Sequence, residues 1–165
     1  MNKNSQKVLT SSERHNWMTP PELFEKIHKH MEFELDPCAE TDNLGLCFYN
    51  KEMDGLARSW KDMTCFVNPP YGSEQKKWIE KALTEKRSVS VFLIPARVDT
   101  KLWHNIIFKH ASKICFLKGR VRFVDPAFKK KTNASPFPSA LVLFNANYFE
   151  KKKFVRACET LGVII

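Results

Sequence analysis

Cys65-Phe66-Val67 is an apolar run that stops at Asn68-Pro69-Pro70-Tyr71-Gly72, and Ser73 then opens a periodic stretch with Trp78, Ile79, Ala82 and Leu83 on one side. Paired prolines cannot continue a strand, because they donate nothing to a ladder. Apolar residues recurring at three and four positions predict a helix, for which Ser73 is a suitable N-cap. Val89 to Ile94 follows as an unbroken apolar strand, the pattern expected at the centre of a parallel sheet. Strand, turn, helix and strand in that order form the repeating unit of an α/β sheet with right-handed crossovers.

The flanks extend the pattern. Thr19-Pro20-Pro21-Glu22 reads as a helix start, with Thr19 as cap, Pro20 in the first turn and Glu22 completing a capping box. Leu23, Phe24, Ile27 and Met31 follow on one face, and Phe33 to Pro37 and Leu46 to Tyr49 read as short strands. Downstream, Asp99 is placed to cap a helix whose apolar face is Leu102, Trp103, Ile106 and Ile107. Ile114 to Leu117 is a strand with Arg120 to Val124 as its continuation, Pro126 to Pro138 is a proline-bounded loop, and Ser139 to Phe144 is a strand. Tyr148 to Leu161 reads as a closing helix with Gly162 past its end. Residues 1–14 have no periodicity and are expected to be a flexible arm, leaving 15–165 as one domain.

At 165 residues the chain can bury one ordinary core. Hydrophobic residues make up 43% and charged residues 27%, which excludes wholesale disorder. No apolar run approaches the ~20 residues of a membrane span, and the polar opening Met1 to Gln6 has no signal-peptide character. The five cysteines are odd in number and widely spaced without a C-x-x-C pair, so neither a disulfide framework nor a metal site is expected. A reduced, cytosolic protein is the expectation. Lys plus Arg total 27 against 18 acids, a net charge of +9 that points to a polyanion such as nucleic acid.

Asn68-Pro69-Pro70-Tyr71 is the most informative tetrapeptide. At residue frequencies of about 5% each it arises by chance in roughly one such chain per thousand. Its place, after a strand and before a helix, is where open α/β sheets put their ligand sites. It resembles the catalytic motif of amino-methyltransferases, which move a methyl group from S-adenosylmethionine to an amide or exocyclic amine. The chemistry suits these residues. A ring-conjugated amine is a poor nucleophile, and the Asn68 side-chain oxygen and Pro69 carbonyl can both accept from it, orienting its lone pair and stabilising developing positive charge. Pro70 stiffens the turn, and Tyr71 offers a flat face on which a flipped base can stack.

The resemblance extends along residues 17 to 145. Trp17-Met18-Thr19-Pro20-Pro21-Glu22-Leu23-Phe24, Asp36-Pro37-Cys38-Ala39, Asp54-Gly55-Leu56, Trp60 and Trp78 have the order and spacing of the phage DNA N6-adenine methyltransferase (Dam) family. So do Leu93-Ile94-Pro95-Ala96-Arg97 with Asp99 and Trp103, Gly119-Arg120 with Phe123, and Ser135-Pro136-Phe137-Pro138-Ser139. The resemblance implies a Rossmann-like class I methyltransferase fold, a mostly parallel seven-stranded sheet flanked by helices with the last strand antiparallel. It also implies S-adenosylmethionine as cofactor, DNA as partner and the cytoplasm, that of a bacterial host if phage-encoded, as location.

Residue by residue, the cofactor is expected at Trp17, Thr19, Pro20, Asp36, Pro37, Cys38, Ala39, Asn43, Asp54 and Asn68. One departure stands out: the usual glycine loop of the first motif is replaced by Glu40-Thr41-Asp42-Asn43. Thr19 and Asp36 can also serve only as caps, and Asp54-Gly55 is a ready turn. Trp17, Trp78 and Trp103 read as core residues. Arg97, expected at the same sheet edge as Asn68, and Lys118 are candidates for substrate contacts, with Arg120, Arg122, Lys129, Lys130 and Lys131 in a small basic element at about 119–138 as candidates for phosphate or base contacts. Methylation of RNA, of protein glutamine or of cytosine N4, and a catalytically silent DNA-binding protein, are the alternatives.

Overall fold

The computed structural model describes residues 17–41, 44–125 and 130–165. The expected arm at 1–14, Asn43 and Lys129 lie outside the described residues. Strands β1 (Leu35–Asp36), β2 (Cys47–Phe48), β3 (Thr64–Val67), β4 (Val89–Pro95) and β5 (Lys113–Leu117) run in one direction. Strands β6 (Val124–Asp125) and β7 (Lys130–Lys131) form a separate antiparallel ribbon. Strands β8 (Ser139–Phe144) and β9 (Gly162–Ile164) rejoin the main sheet, whose order is β2-β1-β3-β4-β8-β5-β9. Helices α1 (Pro21–Met31), α2 (Glu74–Thr84) and α4 (Tyr148–Cys158), with a π-helical turn (Trp103–Ile107) running into the short α3 (Phe108–His110), complete the chain.

β4 and β8 explain the architecture. Phe92 and Ile94 with Ala140, Val142 and Phe144 join Trp78, Ile79 and Ala82 of α2 and Trp103 and Ile107 of the π turn. Val91 and Leu93 with Leu141 and Leu143 join Phe24, Ile27 and Met31 of α1 and Phe154, Ala157 and Cys158 of α4. Alternate residues of each strand thus serve opposite cores, so a strand buried on both faces reads as a continuous apolar run.

The sheet is mixed, which corrects the expected parallel surroundings of Val89 to Ile94. β4 pairs with β3 in parallel and with β8 in antiparallel register, Pro95 opposite Ser139. Apolar continuity reports burial on two faces and does not encode the direction of the neighbour. Arg120 to Val124 does not continue β5. Gly119 turns the chain with φ +79, a backbone conformation that side chains disfavour, and Val124 pairs with Lys131 instead. β9 supplies the seventh strand from a stretch that reads only as a helix end. Its Gly162 lies so close to β5 that a Cβ would meet the Phe116 carbonyl oxygen at 1.9 Å.

The expected caps are also corrected. Thr19 stands one residue too early; Pro20, in extended conformation, is the α1 cap, and no side chain completes it. Ser73 is itself helical (φ −63, ψ −32), so its hydroxyl does not reach the first-turn amides. The Thr100 hydroxyl beside Asp99 donates to the Arg97 carbonyl at 2.8 Å, which closes the turn at 97–100 and caps no helix amide. The full capping box is at α4, where Asn147 and Glu150 serve each other's backbone amides. Among the described residues no helix is long and apolar enough to cross a membrane.

Candidate active site

The strand directions bring the candidate residues to one edge. β1, β3, β4 and β5 all end there, delivering Asp36, Asn68, Arg97 and Lys118, and antiparallel β8 starts there, delivering Phe137 and Pro138 just before Ser139. Ala96 N–H donates to the Pro138 carbonyl at 2.8 Å, which joins the ends of β4 and β8. Trp103 Nε1 donates to the Pro95 carbonyl at 3.1 Å, so this buried indole anchors the last residue of β4.

Asn68 is held from three sides. Its side-chain Nδ2 donates to the Trp17 carbonyl at 2.6 Å, which sets the amide so that Oδ1 receives the Tyr71 hydroxyl at 3.1 Å. Its backbone carbonyl accepts the Cys38 thiol at 3.2 Å. Both donors stay protonated: burial, then the nearby Asp36 charge, pushes the Cys38 thiol up, and burial does the same to the Tyr71 phenol. Oδ1 keeps a second acceptor position beside the one Tyr71 fills. The Tyr71 ring is met edge-on by Phe123, at 6.0 Å, and Phe137, at 5.5 Å, and the Arg97 guanidinium lies 5.8 Å from the Phe137 ring.

A cleft beside Asn68 is lined by Trp17, Thr19, Asp36, Cys38, Ala39 and Pro70, all but Pro70 expected there for the cofactor. Met18, Glu40 and Thr41 also line it, though the sequence reading assigns them no cofactor role: Met18 lies inside the motif at 17–24, and Glu40 and Thr41 lie in the stretch that stands in for the glycine loop. Asp36 is 6% exposed, and its Oδ1 takes one N–H, from Cys38 at 3.1 Å. Burial raises its carboxyl to about 7, the single backbone donor only partly opposing that. Such a carboxylate has unused capacity for a hydroxyl or a cation.

Asp54, Pro20 and Pro37 are not among the lining residues. Asp54 is exposed, adopts φ +50 and accepts the Leu56 amide at 3.2 Å, the turn alternative of its sequence reading. That turn supports the cleft from behind. Gly55 packs so tightly that a Cβ would meet the Pro37 carbonyl oxygen at 1.8 Å, and its own carbonyl accepts the buried Trp60 Nε1 at 2.8 Å. Trp60 and Trp78 then stack at 6.1 Å, so Trp78 and Trp103 are core residues, whereas Trp17 lines the cleft.

The sequence profile described as DNA N-6-adenine-methyltransferase (Dam) matches residues 6–159. The chain belongs to the Dam family. No curated protein matches it closely enough to count as a relative. In this Dam-family chain the basic candidates fall into a second concavity: Lys118, Arg120, Arg122 and Lys131 line a groove with Glu22 over a floor that includes Leu23, Leu117 and Leu161. Lys130 is exposed on β7, paired in register with Asp125. The segment at 17–23 separates the two concavities, its first three residues facing the cleft and Pro20, Glu22 and Leu23 the groove. Among the described residues no group of three or more His, Cys, Asp or Glu side chains could hold a metal ion.

Proposed function

We propose that the protein methylates the exocyclic N6 of adenine in DNA, using S-adenosylmethionine, on a single domain at 15–165 of the Rossmann-like class I methyltransferase type. The observation that carries this reading is the fixed amide of Asn68, open to the cleft that Asp36 and Thr19 also line. Antiparallel β8 inserted between β4 and β5 supports the fold assignment. A DNA methyltransferase acts where the DNA is, in the cytoplasm of a bacterial cell.

The chemistry of the cleft suits the cofactor. Asp36 would accept from its hydroxyls or balance its positive charge, Thr19 and Thr41 offer hydroxyls, and Trp17 and Ala39 offer apolar surface. Cys38 and Pro37 would place Asp36, and Asp54 would act through Gly55 behind them. The cofactor supplies, when bound, an electrophilic methyl group on a sulfonium that leaves as a neutral thioether.

Asn68 Oδ1 and the Pro69 carbonyl would accept the two N–H bonds of a flipped adenine, leaving its lone pair free along the transfer direction. Positive charge then develops on nitrogen against two fixed dipoles, which need no reorganisation at that moment. The proton shed afterwards is that of an aryl-ammonium, acidic enough to pass to water without a side-chain base. Tyr71 would stack on the base, with Arg97 and the basic residues on the phosphates.

Labelled methyl transfer to DNA, RNA and protein in parallel tests this. Label in DNA supports the proposal. Label only in RNA or protein keeps Asn68 to Tyr71 and replaces the substrate. Cofactor binding with no label anywhere leaves a silent DNA-binding protein.

A further inference from the structure

The groove presents four cations, Lys118, Arg120, Arg122 and Lys131, and a single acid among its lining residues, Glu22. That acid is ion-paired with Lys131, both side chains being about half exposed. Lys131 is tied through backbone pairing to the segment that holds the catalytic motif. The Trp17 carbonyl holds Asn68, Met18 bridges to Val124 through two backbone hydrogen bonds of 3.0 and 2.9 Å, and Val124 pairs with Lys131. An anion bound on Lys131 therefore sits beside the same short segment that fixes the Asn68 amide.

We propose that this groove receives a backbone phosphate of DNA on Lys131, and that Glu22 is a built-in competitor for that cation. The inference rests on the DNA reading above. A phosphate must displace the Glu22 carboxylate, after which Glu22 is left unpaired in a basic groove and takes up a counterion. The net ion release credited to Lys131 is then near zero. Removing the acid restores it, adding up to about 0.9 to the slope of log K against log salt. An exposed pair of this kind is weak, so the affinity gain is about two- to fivefold. The arrangement tempers non-specific attachment while leaving Lys118, Arg120 and Arg122 for encounter.

The test is duplex binding by fluorescence anisotropy across a salt series, with Glu22→Gln, Lys131→Met and the double variant, each checked by thermal melting. The expected result is tighter binding and a steeper salt slope for E22Q, with both effects absent when K131M is already present. Unchanged or weaker binding by E22Q overturns the proposal, as does a gain that persists fully in the K131M background, which would reflect net charge alone. If the wild-type protein binds no duplex even at low salt, the DNA reading falls together with this one. If it binds and E22Q changes nothing, this one falls alone.

Discussion

Replacing Asp36 by Asn should stabilise the protein while weakening its cofactor site. Asp36 is 6% exposed, and its carboxyl is raised by burial from 3.8 to about 7. At about 1.36 kcal/mol per pH unit, that interval sets a ceiling of about 4 kcal/mol on what the ionised side chain costs the fold. The sign follows from which state ionises first. Below about pH 4 the carboxyl is protonated whether the chain is folded or not, and the substitution changes little. Between pH 4 and 7 the unfolded chain ionises and the folded one resists, so wild-type stability falls; above about 7 the whole loss is present. Asn keeps an oxygen for the Cys38 amide and never ionises. Denaturant unfolding at pH 4.5 and pH 8 should therefore show a gap that is small at the lower pH and up to about 4 kcal/mol in favour of D36N at the higher. Calorimetric titration with S-adenosylhomocysteine should show the opposite ranking. A variant less stable than wild type at pH 8, or a gap independent of pH, would refute the reasoning.

Other outcomes follow from single contacts. Tyr71→Phe keeps the ring between Phe123 and Phe137 but removes the hydroxyl from Asn68 Oδ1. It should lower kcat by about tenfold or less, the worth of one neutral hydrogen bond, and Tyr71→Ala should lose far more; equal losses in a kinetic comparison would put the whole effect in the hydroxyl and none in the ring. Gly55→Ala places a Cβ 1.8 Å from the Pro37 carbonyl oxygen, so backbone must shift. It should cost about 1–3 kcal/mol by overpacking and weaken cofactor binding through the displaced Pro37-Cys38 turn. Denaturation and calorimetry check it, and wild-type values for both would remove Gly55 as the support of that turn.

What the sequence discloses and conceals divides by range. The turn at Asn68-Pro69-Pro70-Tyr71 and the doubly buried β4 and β8 are legible because prolines and apolar continuity act locally. Helix caps are less so, since they depend on backbone angles: Ser73 has the right side chain in a helical conformation, and Asn147 makes the full box unannounced. Strand direction is invisible in β4, whose residues satisfy either neighbour. β9 is a short apolar end whose one clue is Gly162, needed for close approach to Phe116. The links that build the site, Trp17 to Asn68 and Cys38 to Asn68, join residues far apart in the chain, and only the β1–β3 pairing and the Met18 bridge bring them together. The split of 17–23 into a cleft side and a groove side is likewise a property of the folded chain.

The most direct measurement is nucleoside analysis of unmethylated DNA incubated with S-adenosylmethionine and either the wild-type protein or Asn68→Ala. The account predicts N6-methyladenine from the wild type and a loss of about 10²–10³ in rate for the variant, with melting lowered by only a few degrees, because alanine gives up the bonds to the Trp17 carbonyl and the Tyr71 hydroxyl. N4-methylcytosine as the product, or undiminished methylation by Asn68→Ala, would contradict it.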